Sequence, residues 1–144
     1  MASITALYSP RVLALATNLA DFPPRPDFTL HGQARSPACG STLALDLDLD
    51  AQAAITGLGL SAHACAIGQA AAAIFARHAA GRDGDSIAAT LSAMTVWLTS
   101  DAEIPDWPEL DAIAAARNFP GRHGAILLPW KAALDALSSQ ANPR

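Results

Sequence analysis

Alternation is strongest at Leu43-Ala-Leu-Asp-Leu-Asp-Leu-Asp50. Leu43, Leu45, Leu47 and Leu49 fall on one side of an extended strand, and Asp46, Asp48 and Asp50 on the other. Three aligned carboxylates are a divalent-cation motif only where turns make them converge, so on a straight strand they read as a solvated sheet face. Asp50-Ala-Gln52 can turn the chain into a third strand over 53–60, and 28–36 is a weaker strand ahead of it. Elsewhere the spacing is helical. Leu7, Val12, Leu15 and Leu19 mark a first helix, with Ser9-Pro10 as N-cap and first residue. Phe22-Pro-Pro-Arg-Pro26 ends it in an extended linker.

A helix is expected from about Cys65 to Ala80, closed by Gly81. Asp83 or Asp85 caps the next, whose stripe is Ile87, Leu91, Met94 and Leu98. Asp106-Trp-Pro-Glu109 reads as a capping box for a short helix to Ala116, which Phe119-Pro120 breaks. A last helix covers 126–137, with Pro129 in its first turn or at a kink. The predicted architecture is α+β: a three-stranded antiparallel sheet, with an N-terminal helix and several C-terminal helices packed on one face. One domain spans 1–137, followed by a polar tail, 138–144.

Composition narrows the function. With 51% hydrophobic and 15% charged residues the chain has enough apolar matter for a core. A formal charge of −4 and the lack of a basic cluster exclude a general nucleic-acid surface. Two cysteines are too few for a disulfide framework, which points to a reducing, cytoplasmic setting. The first ten residues lack the charged and apolar regions of a secretion signal. The uncharged run 51–76 is long enough to span a bilayer, but Gln52, Thr56, Ser61, His63 and Gln69 interrupt it, so no membrane role is expected. Trp97, Trp107 and the leucine-rich faces suit a core or, if exposed, a homodimer surface.

Chemistry concentrates at three points. Pro37-Ala-Cys39-Gly-Ser41 joins the first two strands, His63 and Cys65 follow the third, and Arg122-His123-Gly124 leads into the last helix. In a meander, strand one exits where strand two enters, and strand three exits at that same end, so Cys39 is expected near Cys65. The last helix can add His123. Cys39, Cys65 and His123 form a soft donor set for zinc, iron or a cluster, with Ser41 and His63 as weaker candidates. At a helix N-terminus, Cys65 meets unpaired N–H groups that favour a thiolate. His31 and His78 read as surface residues. No Gly-x-Ser-x-Gly elbow, phosphate-binding loop, dinucleotide glycine pattern or Cys-x-x-Cys is present, so no enzyme class is indicated.

In order along the chain, Tyr8-Ser-Pro-Arg-Val12, Pro37-Ala-Cys39-Gly-Ser41, Ala64-Cys65-Ala-Ile-Gly-Gln-Ala-Ala71 and Phe119-Pro-Gly-Arg-His123-Gly124 resemble the U-type iron–sulfur cluster assembly scaffolds, the IscU/SufU/NifU-like group. The resemblance covers roughly residues 8–137. It implies a non-enzymatic scaffold-like protein that binds iron, zinc or a [2Fe–2S] cluster through Cys39, Cys65 and His123. It implies a cysteine desulfurase and cluster assembly or acceptor proteins as partners. A zinc-binding regulatory module of that machinery and a thiol sulfurtransferase are the alternatives. Two departures bear on the site: Gly124 stands where the family has its third cysteine, which receives sulfur from the desulfurase, and Ser41 stands where it has an Asp.

Overall fold

The computed structural model describes residues 7–141; most of the stretch read above as lacking a secretion signal lies outside them. Helix α1 (Pro10–Asn18) begins as its residues dictate, with Ser9 Oγ accepting from Val12 N at 3.2 Å and Pro10 at its first position. A 3₁₀ turn (Leu19–Asp21) and the proline linker lead to strands β1 (Leu30–Arg35), β2 (Thr42–Leu49) and β3 (Ile55–His63). These form one antiparallel sheet in the order β1-β2-β3. Helices α2 (Ala66–His78), α3 (Gly84–Thr99) and α4 (His123–Ala141) follow, with 3₁₀ segments Leu110–Asn118 and Pro120–Arg122 between the last two.

Leu43, Leu45 and Leu47 are buried beneath the helices, as the alternation requires. Burying each contributes about 2 kcal/mol, so a one-residue slip of β2 would forfeit about 6 kcal/mol. That is comparable to the whole stability of a small domain, which is why the register is unique. Helix α4 lies across β1 and β2, and α2 packs on α1, α4 and β3. The approach of α4 is close enough to demand glycine: a Cβ on Gly32 would stand 2.2 Å from the Ala132 carbonyl oxygen. Phe75, Trp107 and Trp130 pack with ring centroids 5.2–5.4 Å apart between the helices. Trp97 is also buried, so neither it nor Trp107 offers a dimer surface.

On the opposite sheet face, the linker lies over the far half. Asp46 Oδ2 accepts from Arg25 N at 2.7 Å, its Oδ1 meets His31 Nδ1 at 2.6 Å, and Asp48 Oδ1 accepts from Thr29 N at 2.9 Å. Asp50 closes its own turn by accepting from Gln52 N and Ala54 N. The aspartates thus fasten loops and form no cation site.

Several boundaries differ from the sequence reading. Strand β3 continues through Ser61-Ala62-His63, which pair with Ala44, Leu43 and Thr42, so His63 is a strand residue. Cys65 is the N-cap of α2, whose last residue is His78. Of the two candidate caps for α3, Asp83 acts, accepting from Ser86 N at 2.9 Å. No capping box forms at Glu109. That residue has φ +72°, in the left-handed region, and its carboxylate takes hydrogen bonds from Arg77 (2.7 Å) and His78 (2.8 Å). His78 is accordingly half-buried and partnered. The following segment is 3₁₀, kinked at Ile113. Helix α4 starts at His123, three residues before expectation, and runs into the presumed tail, with Pro129 in its interior.

Candidate metal centre

The meander places the β1–β2 loop and the end of β3 at one end of the sheet, and α4 begins there too. Within the loop, Ser36 N donates to Ser41 O (2.9 Å) and Gly40 N to Ser36 O (2.8 Å), with Gly40 at φ +74°. This tight turn lifts Cys39 to the surface while Ser36 and Ser41 stay buried. Cys39 Sγ lies 3.4 Å from Ser36 Oγ and 3.1 Å from Ser41 Oγ. Hydrogen bonds from Ser36 and then Ser41 hold its pKa below the usual thiol range, against a smaller opposing effect of burial, and the Arg122 charge adds to them.

Cys65 is half-buried at the start of α2, and its carbonyl accepts from Gln69 N at 2.9 Å. The first turn of α2 packs closely on α4: a Cβ on Gly68 would lie 2.7 Å from Ala64 Cβ and 3.2 Å from Ala125 Cβ. That contact sets Cys65 beside the beginning of α4. Arg122 lies within electrostatic reach of both thiols. It donates to Tyr8 Oη at 3.2 Å, and this bond, followed by the nearby Cys65 and Cys39 sulfurs, raises its pKa further. Its Nε is buried and has no partner among the described residues. A guanidinium in electrostatic reach of both sulfurs favours the thiolate of Cys39 and an anionic group bound at this corner.

The other candidates sit differently. His123, the first residue of α4, has Nε2 2.9 Å from the Arg117 carbonyl oxygen, so Nε2 carries a proton and, in the neutral ring, Nδ1 the lone pair. It lines a cleft with Leu98, Ser100, Asp101 and Arg117. No three His, Cys, Asp or Glu side chains among the described residues are gathered closely enough to hold a metal ion. His123 is therefore not drawn up to the two sulfurs. His63 is exposed and shares the outer sheet face with Thr42, away from the helices. Ser41 belongs to the corner as a hydrogen-bonding partner of Cys39. At position 124 a Cβ would fall 2.2 Å from Ser36 Oγ, so the serine fills the space of a third side chain. The sequence reading missed the roles of Ser36, Arg122 and Tyr8; only the Tyr8 and Phe119–Gly124 stretches singled out above hinted at the last two.

No protein-family model matches the sequence, and no match is found among curated proteins. Solved structures do match. One is a nitrogen-fixing NifU-like protein (N-terminal) from Brucella abortus, at TM-score 0.88 and 24% identity over 98% of this chain and 99% of that one. Another, from thermophilic Fervidobacterium islandicum AW-1, is named as an iron–sulfur cluster assembly scaffold for the SUF system; it aligns at TM-score 0.79 and 18% identity over 94% of this chain and 99% of that one. A hypothetical protein aligns at TM-score 0.69 and 20% identity over 88% of this chain. The fold is that of the U-type iron–sulfur cluster assembly scaffolds, as the sequence resemblance implies.

Proposed function

We propose that this chain is a scaffold-like protein of iron–sulfur cluster assembly, carrying iron, zinc or a [2Fe–2S] cluster as cargo on Cys39 and Cys65. The observation that supports this most is that Arg122 lies within electrostatic reach of both thiols at one end of the sheet in a scaffold fold. Thiolates are the donors that soft or borderline metals select, and a thiolate-ligated cluster carries net negative charge that a guanidinium offsets. His123 is the third donor in this proposal. With its Nε2–H held by a backbone carbonyl, its Nδ1 has the tautomer a ligand needs. A cluster needs about four ligands, so at least one comes from water, a partner or a second copy of the chain. A cysteine desulfurase and cluster acceptors are the partners consistent with the SUF-system likeness. The chain's work is to hold and hand over, without chemistry of its own.

A second reading, a thiol sulfurtransferase working at Cys39, is favoured by the exposure of that thiol and its lowered pKa. Metal and acid-labile sulfide content after anaerobic reconstitution decides between them, with Cys39→Ser, Cys65→Ser and His123→Ala beside the parent. Iron and sulfide in stoichiometric amounts, lost in both cysteine variants, is the expected result. Retention in His123→Ala would remove that residue from the ligand set. Zinc alone, lost in the same variants, would point to a metal-bound interaction module. Metal-free protein under all conditions, with a persulfide forming on Cys39 by transfer of sulfane sulfur from an added persulfide donor that leaves as its thiol, would replace the scaffold reading by the sulfurtransferase.

A further inference from the structure

The face of the sheet turned away from the helices carries a second constellation. Pairing sets Arg35, Thr42 and His63 side by side across the three strands, and Gln33, Ala44 and Ser61 in the next row on the same face. Two strand spacings separate Arg35 from His63, about 10 Å between Cα atoms, with the small Ala44 as a floor. A groove of about 490 Å³ opens over these residues. The linker, which covers the far half of this face through Asp46 and Asp48, does not line it.

Five side chains that donate hydrogen bonds therefore surround the groove: a guanidinium, an imidazole, an amide and two hydroxyls. None of them has a side-chain partner among the described residues, and no carboxylate lines the groove. The acids beside it are already engaged: Asp46 by His31 and Arg25 N, and Asp135 of α4 by Gln33 N at 2.9 Å. Arg35 is thus a free cation in a chain of formal charge −4. A solvated protein face has no need to gather five donors around an alanine floor with no carboxylate among the lining residues.

We infer that this groove binds a small oxyanion-bearing molecule, a carboxylate or phosphate compound, with Arg35 as its charge anchor and Gln33, Thr42, Ser61 and His63 as hydrogen-bond donors. The geometry favours a small molecule over a chain segment: the donors converge on one concavity of ligand size, with no larger apolar side chain than the Ala44 methyl on its outer-face floor. The site is separate from the thiol corner. Arg35 and Thr42 point outward, whereas their neighbours Ser36 and Ser41 are buried on the helix side with Cys39 Sγ.

Amide chemical shifts of the ¹⁵N-labelled chain, titrated at ~0.15 M salt, test this with three probes: citrate, pyrophosphate and a glutamate-rich peptide. Shifts confined to residues 33–35, 42–44 and 61–63, saturating with a Kd below about 1 mM for citrate or pyrophosphate, are expected. Whichever of the two binds more tightly identifies the source of the oxyanion. Arg35→Gln should weaken binding at least tenfold, and Ala44→Glu, which puts a carboxylate on the floor, should abolish it. Both positions are exposed, and an otherwise unchanged spectrum shows that each variant folds. No saturable shift with either small anion overturns the proposal, as does binding that ignores both substitutions. Binding of the peptide alone would make the face a protein-docking surface and equally overturn it.

Discussion

Replacing Gly124 by alanine puts a Cβ 2.2 Å from Ser36 Oγ and 3.1 Å from Ser36 Cβ. Two effects oppose each other. A helical glycine-to-alanine change stabilises by about 0.5–1 kcal/mol, and by less in the first turn of α4. Overpacking of this kind costs about 1–3 kcal/mol, because Ser36 is buried and held by its backbone bonds to Ser41 and Gly40. Steric cost wins, and the net expectation is destabilisation by about 1–2 kcal/mol. In a Ser36→Ala background the 2.2 Å contact disappears and only the 3.1 Å contact remains, which a shift of a few tenths of an ångström relieves. There the same substitution should be neutral or slightly stabilising, a coupling of about 1–2 kcal/mol. Urea unfolding of the four proteins, with midpoints compared at constant m, reads it. Gly124→Ala that stabilises equally in both backgrounds would show that Ser36 swings clear, and would refute the view that it occupies the third ligand's place.

Two further outcomes follow from the charged groups. Iodoacetamide alkylation of Cys39 should reach half its limiting rate below the pH typical of a free thiol, because Ser36 and then Ser41 stabilise the thiolate; Ser41→Ala should move that midpoint upward, and an unmoved midpoint would remove the hydroxyl from the account. Burial pushes the Glu109 carboxyl up, but hydrogen bonds from Arg77 and His78 together outweigh it and leave the pKa lowered. The resulting stability is fully present above the unfolded pKa of about 4.3 and is lost as pH falls through the lower folded value. Glu109→Gln should therefore cost about 1–2 kcal/mol at pH 7 by denaturant unfolding, and the gap should close in acid; a pH-independent gap would mean that packing or the left-handed backbone, not charge, is what the substitution disturbs.

Much of this was legible from residues whose local signals agree with the fold. The Leu43–Leu49 alternation names its buried face, Ser9-Pro10 and Asp83 name two helix starts, and a meander of three strands brings the Cys39 loop to the end where Cys65 follows β3. The misses have physical reasons. Ser61 and Ala62 are too small to give a strand signal, so pairing with β2 alone reveals that β3 reaches His63. Glu109 has capping-box spacing, but Arg77 and His78, about thirty residues away, compete for its carboxylate, and these long-range hydrogen bonds override the local motif. Gly121-Arg-His-Gly124 contains no helix-start signal, yet α4 begins there against the sheet. The exclusion between Ser36 and Gly124, and the donor row of Arg35, Thr42 and His63, depend on register and packing between segments distant in sequence.

Charge distribution links the thiol corner to the groove on the other sheet face. Acidic residues outnumber basic ones by 13 to 9, so a carboxylate partner is available for nearly any cation. Arg11, Arg25, Arg77 and Arg117 each take one, on Asp111, Asp27, Glu109 and Asp101. Among the described residues Arg35, Arg82, Arg122 and Lys131 take none: Arg82 donates to the His78 carbonyl oxygen and lies over the Trp107 ring, Arg122 donates to Tyr8 within reach of two sulfurs, and Arg35 faces the open groove. Arg35 and Arg122 stand at the end of the sheet where β1 turns into β2, on its two opposite faces. Cations left unpaired in an acidic chain suit anions that arrive from outside, and two faces imply two separable anions. Arg122→Gln should accordingly lower retention of reconstituted metal and sulfide severalfold against a chelator while leaving citrate or pyrophosphate binding unchanged. Arg35→Gln should do the reverse. If either substitution weakens both, the two faces share one site, and the division drawn from the alternation of Arg35 and Ser36 across the sheet is wrong.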